Sequence, residues 1–179
     1  PSIRESERME FRRHKKIRLN AAATAGLLII LFFLIIAVFA PVIAPYDPKE
    51  MIASYLPPSK EHILGTNDVG QDIFSEMVYG TRVSLYIGIF AAFIVTGVGT
   101  VLALVSGYFG GVADKIITAI TNIAMAVPSL PLTVLLIAYL NPGKWSLIIA
   151  ISITAWTGTA RILRARVMQL KELPFIKIE

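Results

Sequence analysis

VSLYIGIFAAFIVTGVGTVLALVSGYFGGVA, residues Val83 to Ala113, contains no charged side chain. A membrane-crossing helix needs about 20 mostly apolar residues to span ~30 Å of hydrocarbon, and this run exceeds that length. Three other stretches are equally free of charge: Leu19 to Tyr46, Ile116 to Gly143 and Trp145 to Ala160. Together they predict membrane spans near 20–41, 83–106, 114–140 and 145–163. The last is short, but Trp145 suits one interface, and Arg161 and Arg164 can snorkel to the other. The composition agrees, with 55% hydrophobic and only 16% charged residues and a mean hydropathy of +0.69. Soluble domains carry roughly 25% charged residues, so a soluble globule of this size would lack polar surface. The fold class expected is an all-α integral membrane protein with four transmembrane helices.

The first apolar run follows basic residues and ends at Val42-Ile43-Ala44, which has the look of a signal-peptide cleavage site. Its apolar core is longer than the ~7–15 residues of a signal h-region, and further spans follow, so it reads as a retained anchor. There is no cysteine, which excludes disulfides, thiolate metal sites and cysteine nucleophiles. The two histidines, His14 and His62, flank the first run and are far apart, a poor basis for a metal site or a catalytic triad. No phosphate-binding loop of the G-x-x-x-x-G-K-[ST] type occurs, so the chain does not hydrolyse ATP itself. No acid, histidine or cysteine is expected inside a span, which argues against an intramembrane enzyme and against a coupled ion relay. No catalytic residue, metal or cofactor is assigned. The net charge of +5 follows membrane topology and not a nucleic-acid face.

Orientation follows from Lys and Arg in the connecting segments. The segment before the first span carries Arg4, Arg8, Arg12, Arg13, Lys15, Lys16 and Arg18, and the one after the fourth carries Arg161, Arg164, Arg166, Lys171 and Lys177. Between the first two spans only Lys49, Lys60 and Arg82 stand against six acids. Both basic ends are therefore expected in the cytoplasm. The expected organisation is a basic cytoplasmic tail (1–18), an anchor helix (19–41), an extracytoplasmic loop (42–82), three further spans (83–163) and a cytoplasmic segment (164–179).

Within that loop, EHILGTNDVGQDIFSEMVYGTR, Glu61 to Arg82, crowds oxygen-bearing side chains around Gly70. The order Asn67-Asp68-Val69-Gly70-Gln71-Asp72 lacks the ligand alternation of an EF-hand calcium loop. A turn from Gly65 to Gly70 fits better. A short amphipathic helix on the membrane surface would follow, capped by Asn67 or Asp68, with Ile73, Phe74, Met77 and Val78 as its apolar face.

Gly88, Gly97 and Gly99 enrich the second span, and Gly99 and Ala103 have the spacing of a helix-packing seam. Gly107-Tyr108-Phe109-Gly110-Gly111 is expected to reverse the chain. In the third span Thr118, Asn122, Ser129 and Thr133 would share one face of a continuous helix. Pro128 and Pro131 would kink that helix and free backbone carbonyls. Such a stripe could line a solute pathway, with Asn122, Ser129 and Thr133 as the lining. It could equally be hydrogen-bonding glue between helices. The spacing of Arg161, Arg164, Met168 and Lys171 continues the fourth helix beyond its span, with Pro174 breaking it.

The order of these features resembles the permease subunit of ABC importers of the dipeptide, oligopeptide and nickel type. The likeness rests on Phe11-Arg12-Arg13-His14-Lys15, Phe39 to Pro48, Leu56-Pro57-Pro58-Ser59, His62 to Ser75, Tyr79 to Leu85, Gly107 to Gly111 with Asp114, Pro128-Ser129-Leu130 and Thr157 to Arg161. In it, Gly65, Thr66, Asn67, Asp68, Gly70 and Asp72 match the family's external motif, structural and not catalytic. The resemblance implies a six-helix permease in a prokaryotic inner membrane, paired with a second homologous permease. It also implies cytoplasmic ATP-binding subunits that hydrolyse the ATP, and an extracytoplasmic solute-binding protein. Leu173 to Glu179 looks like the approach to the coupling motif, with Glu179 at its first position. The rest of that motif and two more spans would lie beyond. Gln71, Glu76, Ala119 and Asn122 depart from residues frequent in the family. The competing expectation is a membrane scaffold or passive channel subunit whose external loop binds a partner or calcium. No charged residue in the spans selects among peptides, nickel complexes and oligosaccharides.

Overall fold

A computed structural model describes residues 21–173; the basic tail, Pro174 and Glu179 lie outside the described residues. The chain divides into two compact units, residues 1–78 and 79–179.

In the first unit, α1 (Ala21–Val38) is apolar on every side. Its side chains from Leu27 to Ile35 are exposed all round, and Ala37 alone is buried. Such a helix belongs in lipid, and 18 residues cover ~27 Å at 1.5 Å per residue. A one-turn helix, α2 (Ala40–Ile43), follows with proline in its first turn. The remaining loop is irregular but well bonded. Ile52 N–H donates to the Gly70 carbonyl at 2.9 Å, Tyr55 N–H to Asn67 at 3.1 Å and Thr66 N–H to Leu56 at 3.1 Å. An isolated antiparallel bridge joins Thr66 and Asp72.

The long helix α3 (Ile73–Leu104) starts in this unit and continues through the second. No separate short helix forms: Ile73 to Val78 are the first turns of α3, which corrects the expected break at Gly80-Thr81-Arg82. A mid-helix glycine costs only about 1 kcal/mol, too little to stop a helix with no proline in it. Nor do Asn67 or Asp68 cap it. Asp72 does, its Oδ2 accepting the Ser75 N–H at 2.8 Å. With the π-helical segment Val105–Phe109, the continuous helix is 37 residues long. It outruns the hydrocarbon, so its charged first turns need not enter it.

The chain therefore does not turn at Gly107. It turns at Gly110 and Gly111, whose φ angles of 66° and 57° lie in the left-handed region. Next comes α4 (Gly111–Ala126), then α5 (Ser129–Tyr139). The two are bent by 85° at the intervening residues, so the third apolar run is a broken helix and not a kinked continuous one. Pro128 sits at the break as the residue before α5, with extended ψ. Pro131 is in the first turn of α5, where its missing N–H has no intrahelical acceptor anyway and causes no kink. The last helix, α6 (Lys144–Lys171), continues past Arg161 as its spacing suggested. By length and composition three helices among the described residues can cross a membrane, or four if the broken pair is one span.

In the second unit α3 and α6 meet along small residues. A Cβ on Gly99 would lie 2.8 Å from Thr159 Cβ, and one on Gly107 2.7 Å from Val167 Cγ1. Ala103, between them, is 1% exposed. Small residues are what allow close approach where lipid supplies no hydrophobic drive. At the start of α6, Trp145 packs against Tyr86 and Phe90 of α3, the three rings 4.6–6.1 Å apart, with the Lys144 ammonium 5.8 Å above the Tyr86 ring. This amphipathic cluster suits a membrane interface.

Candidate functional site

In the loop unit the external-motif residues are positioned by a buried carboxylate. Asp72, 1% exposed, accepts from His62 Nδ1 at 3.0 Å and, on its other oxygen, from the Ser75 amide and hydroxyl, both at 2.8 Å. Tyr46 stacks its ring on His62 at 4.8 Å and gives its N–H to Ser75 Oγ at 3.2 Å. Burial pushes the Asp72 carboxyl up, but the Ser75 donors and His62 outweigh it and hold it below its ordinary value of 3.8. Aspartate, histidine and serine meet here in the wrong order for nucleophilic catalysis. The carboxylate lies between the hydroxyl and the imidazole, so Ser75 faces a carboxylate and not the imidazole base of a triad.

The other motif residues hold the backbone. Thr66 Oγ1 donates to the Ala53 carbonyl at 2.5 Å and accepts from the Leu56 N–H at 2.8 Å. Asn67 Oδ1 accepts from the Val69 and Gln71 amides at 2.9 Å. Asn67 Nδ2 donates to Gln71 Oε1 and Glu76 Oε2 at 3.1 and 2.9 Å. Gly65, at φ 75°, is packed so that a Cβ would stand 2.3 Å from the Leu56 carbonyl oxygen. Gly70 is buried at φ 91° and Asp68 is exposed. Among the described residues no group of three or more His, Asp or Glu side chains is placed to hold a metal ion.

In the helical unit a second carboxylate is the hub. Asp114, in the first turn of α4, takes Arg164 in a two-pronged pair, Nε to Oδ1 at 2.6 Å and Nη2 to Oδ2 at 2.7 Å. The Ser106 hydroxyl also donates to Asp114 and accepts from Arg164 Nε at 3.0 Å. Thr118 adds a contact to Asp114 at 3.3 Å. This arrangement depends on the π-helical turn, which carries the buried Ser106 and Gly107. Two turns beyond Arg164, Lys171 Nζ reaches the Tyr108 carbonyl at 2.7 Å. Arg164 is thus paired and does not simply snorkel. Arg161 donates from Nη2 to Asn122 Oδ1 at 2.8 Å.

The expected stripe of the third run is therefore divided. Asn122 belongs to α4 and is engaged by Arg161. Ser129 and Thr133 belong to α5, beyond the bend. Thr133 Oγ1 donates to the Ser129 carbonyl at 2.8 Å and lies 3.1 Å from Thr154 Oγ1 of α6, a contact worth roughly 1 kcal/mol between membrane helices. Ser129 instead borders an open cavity of about 350 Å³ at the break, with Ala124, Met125, Val127 and Pro128 on one side and Thr154, Ala155, Thr157 and Gly158 on the other. Sequence reading did not assign Thr154 or Thr157 to the pathway; the signal was their spacing of three, four and three residues with Arg161 and Arg164, one face of a helix. It also missed the Asp114–Arg164 pair: Asp114 is followed by Lys115, and Arg164 is one of three arginines between 161 and 166, so no local signal selects this pairing.

Two family models match the chain. The N-terminal TM domain of oligopeptide transport permease C matches residues 10–58. The binding-protein-dependent transport system inner membrane component matches residues 99–178. Among curated proteins the chain is 39% identical to the oligopeptide transport system permease protein of Bacillus subtilis, over 90% of this chain and 53% of that protein. It is 35% identical to the dipeptide transport system permease protein of the same organism, covering 90% and 51%. With the glutathione transport system permease protein of Pectobacterium atrosepticum it shares 34% identity, covering 90% and 54%. The chain spans about half the length of these relatives, all of them transport permeases and not enzymes. With its membrane-spanning helices and both matches, the chain belongs to the inner-membrane permease components of binding-protein-dependent transport systems.

Proposed function

We propose that the protein is the permease subunit of an ATP-driven peptide importer and forms half of its translocation pathway. The observation that carries this reading is the broken third run: an 85° bend between two apolar helices, opening a polar cavity against α6. In hydrocarbon, non-helical backbone is tolerated only where protein covers it or water fills it, and broken helices are where transporters place solute. The peptide class comes from the relatives, which are named for oligopeptides, dipeptides and glutathione. The Lys and Arg distribution supports a cytoplasmic N-terminus and an external loop from 42 to 82.

In this reading an extracytoplasmic binding protein delivers peptide to the outer face. A second homologous permease completes the pathway. ATP bound and hydrolysed on separate cytoplasmic subunits shifts the pair between outward- and inward-facing states, by binding one state better than the other. Glu179 opens the segment that meets those subunits. Ser129 lines the pathway. Asn122 and Thr133, engaged by Arg161 and Thr154, position the helices that frame it.

The test is reconstitution of the full permease with its partner subunits in proteoliposomes. Uptake of a labelled dipeptide is expected only with both ATP and the binding protein present. Uptake that proceeds without ATP, or no peptide uptake by an assembly that hydrolyses ATP, overturns the reading.

A further inference from the structure

We infer that the break between α4 and α5 is a contact site for the neutral amide groups of a peptide, built from backbone and hydroxyl groups and not from charge. The inference rests on the importer reading above and adds the chemistry of what is contacted.

The last carbonyls of any helix lack an intrahelical donor. Here Pro128 has no N–H to offer the Ala124 carbonyl, and extended Val127 carries the chain away from the helical path. Across the break, the first amides of α5, at Ser129 and Leu130, lack acceptors within the helix. Backbone bonding there resumes with Leu132 N–H on the Pro128 carbonyl at 3.2 Å. One short stretch thus presents acceptors and donors side by side.

The facing wall is α6, and its contribution is a hydroxyl. Thr157 borders the cavity and is only 7% exposed. Its hydroxyl has no hydrogen-bond partner among the described residues, yet it is not sealed off from solvent. The adjacent Gly158 has nothing within 4 Å of where a Cβ would stand, which keeps that wall low. No charged residue lines the cavity. Unpaired donors and acceptors without charge favour a group that is itself both donor and acceptor, as an amide is. A lone carboxylate or metal ion would find no compensating charge there. At about 350 Å³ the space is within the usual range of ligand pockets, roughly 300–1,000 Å³. Because the contacts go to the amide and not to side chains, passage should depend little on peptide sequence.

The absence of cysteine from the chain makes the test direct. Ser129→Cys and, separately, Gly158→Cys are introduced into the full permease, assembled with its partner subunits in proteoliposomes, with the unsubstituted complex as blank. A small charged methanethiosulfonate reagent should modify both thiols, and trialanine during ATP-driven uptake should slow that modification while maltose does not. Thr157→Val should lower trialanine uptake at limiting peptide about fivefold, the effect of one neutral hydrogen bond, and Thr157→Ser should restore it. If the unsubstituted complex imports trialanine but both thiols stay inert, protein or lipid fills the break, and this inference falls while the importer reading stands. If the thiols react but trialanine is neither imported nor protective, the peptide assignment fails in both.

Discussion

Two aspartates organise this protein, and they do it over very different distances along the chain. Asp72 gathers His62 and Ser75, ten and three residues away, and is 1% exposed. Asp114 gathers Ser106 and Thr118 nearby, but its charge partner Arg164 is fifty residues off; Asp114 and Arg164 have side chains 23% and 29% exposed. The first cluster closes a loop on itself and caps one helix. The second ties the start of α4, the π-helical turn and the end of α6 into one joint. The same chemistry, a carboxylate taking a hydroxyl and a cationic or imidazole nitrogen, serves local folding in one place and helix assembly in the other.

If the loop cluster is built on backbone geometry first, the largest effect should come from Gly65→Ala, which leaves the side chains of His62 and Asp72 unchanged. The new methyl would stand 2.3 Å from the Leu56 carbonyl oxygen at a φ of 75°, and left-handed backbone alone costs about 1–3 kcal/mol. A loss of about 3 kcal/mol in the unfolding free energy of the loop, read by limited proteolysis, is expected. A loss below about 0.5 kcal/mol would mean that the polar cluster holds the loop without its backbone frame.

Next in size is Arg164→Met, which leaves Asp114 charged without its partner. Removing one member of a fully buried pair costs 3–5 kcal/mol; the partial exposure here reduces that to about 2 kcal/mol. Adding Asp114→Asn should recover much of the loss, because the unpaired charge is what is costly. Additive losses in thermal unfolding of the purified protein would show that the two residues do not act as a pair.

Asp72→Asn should cost less, about 1 kcal/mol, since an amide oxygen can still accept the Ser75 N–H. Its diagnostic feature is pH. Asp72 is held below its ordinary value of 3.8, so its contribution is complete above that value and is lost as pH falls through the depressed one. The native loop should therefore lose stability on acidification below about pH 4, and Asp72→Asn should flatten that dependence. An unchanged acid slope in the variant would assign the titration to another carboxylate.

The same contrast decides how much could be read from sequence. The apolar runs announce the helices because hydrophobicity is additive along the chain. The Gly65 to Asp72 run announces a structured turn because its partners are neighbours. Even so, His62 was set aside as isolated, since ten irregular residues separate it from Asp72 and no periodicity joins them. The polar stripe from Thr118 to Thr133 was misread because helical phase carries only across a continuous helix, and Pro128 ends that phase. Nothing local in Asp114 or Arg164 says they meet. That follows from the small-residue seam at Gly99, Ala103 and Gly107, which sets how closely α3 and α6 approach.

The smallest effect expected marks the outer limit of the helical joint. Lys171 donates to the Tyr108 carbonyl and lies 5.9 Å from its ring centre, but it is exposed. Water can replace its contact, and exposed charged contacts contribute about 0.2–1 kcal/mol. Lys171→Met should therefore lower stability by about 0.5 kcal/mol, well under the effect of Arg164→Met in the same assay. If the two losses were equal, the joint would not be centred on Asp114, and the end of α6 would be held as much by its last turn as by the ion pair. A small loss at Lys171 beside a large one at Arg164 centres the joint on the ion pair, with the last turn of α6 adding only an exposed contact to it.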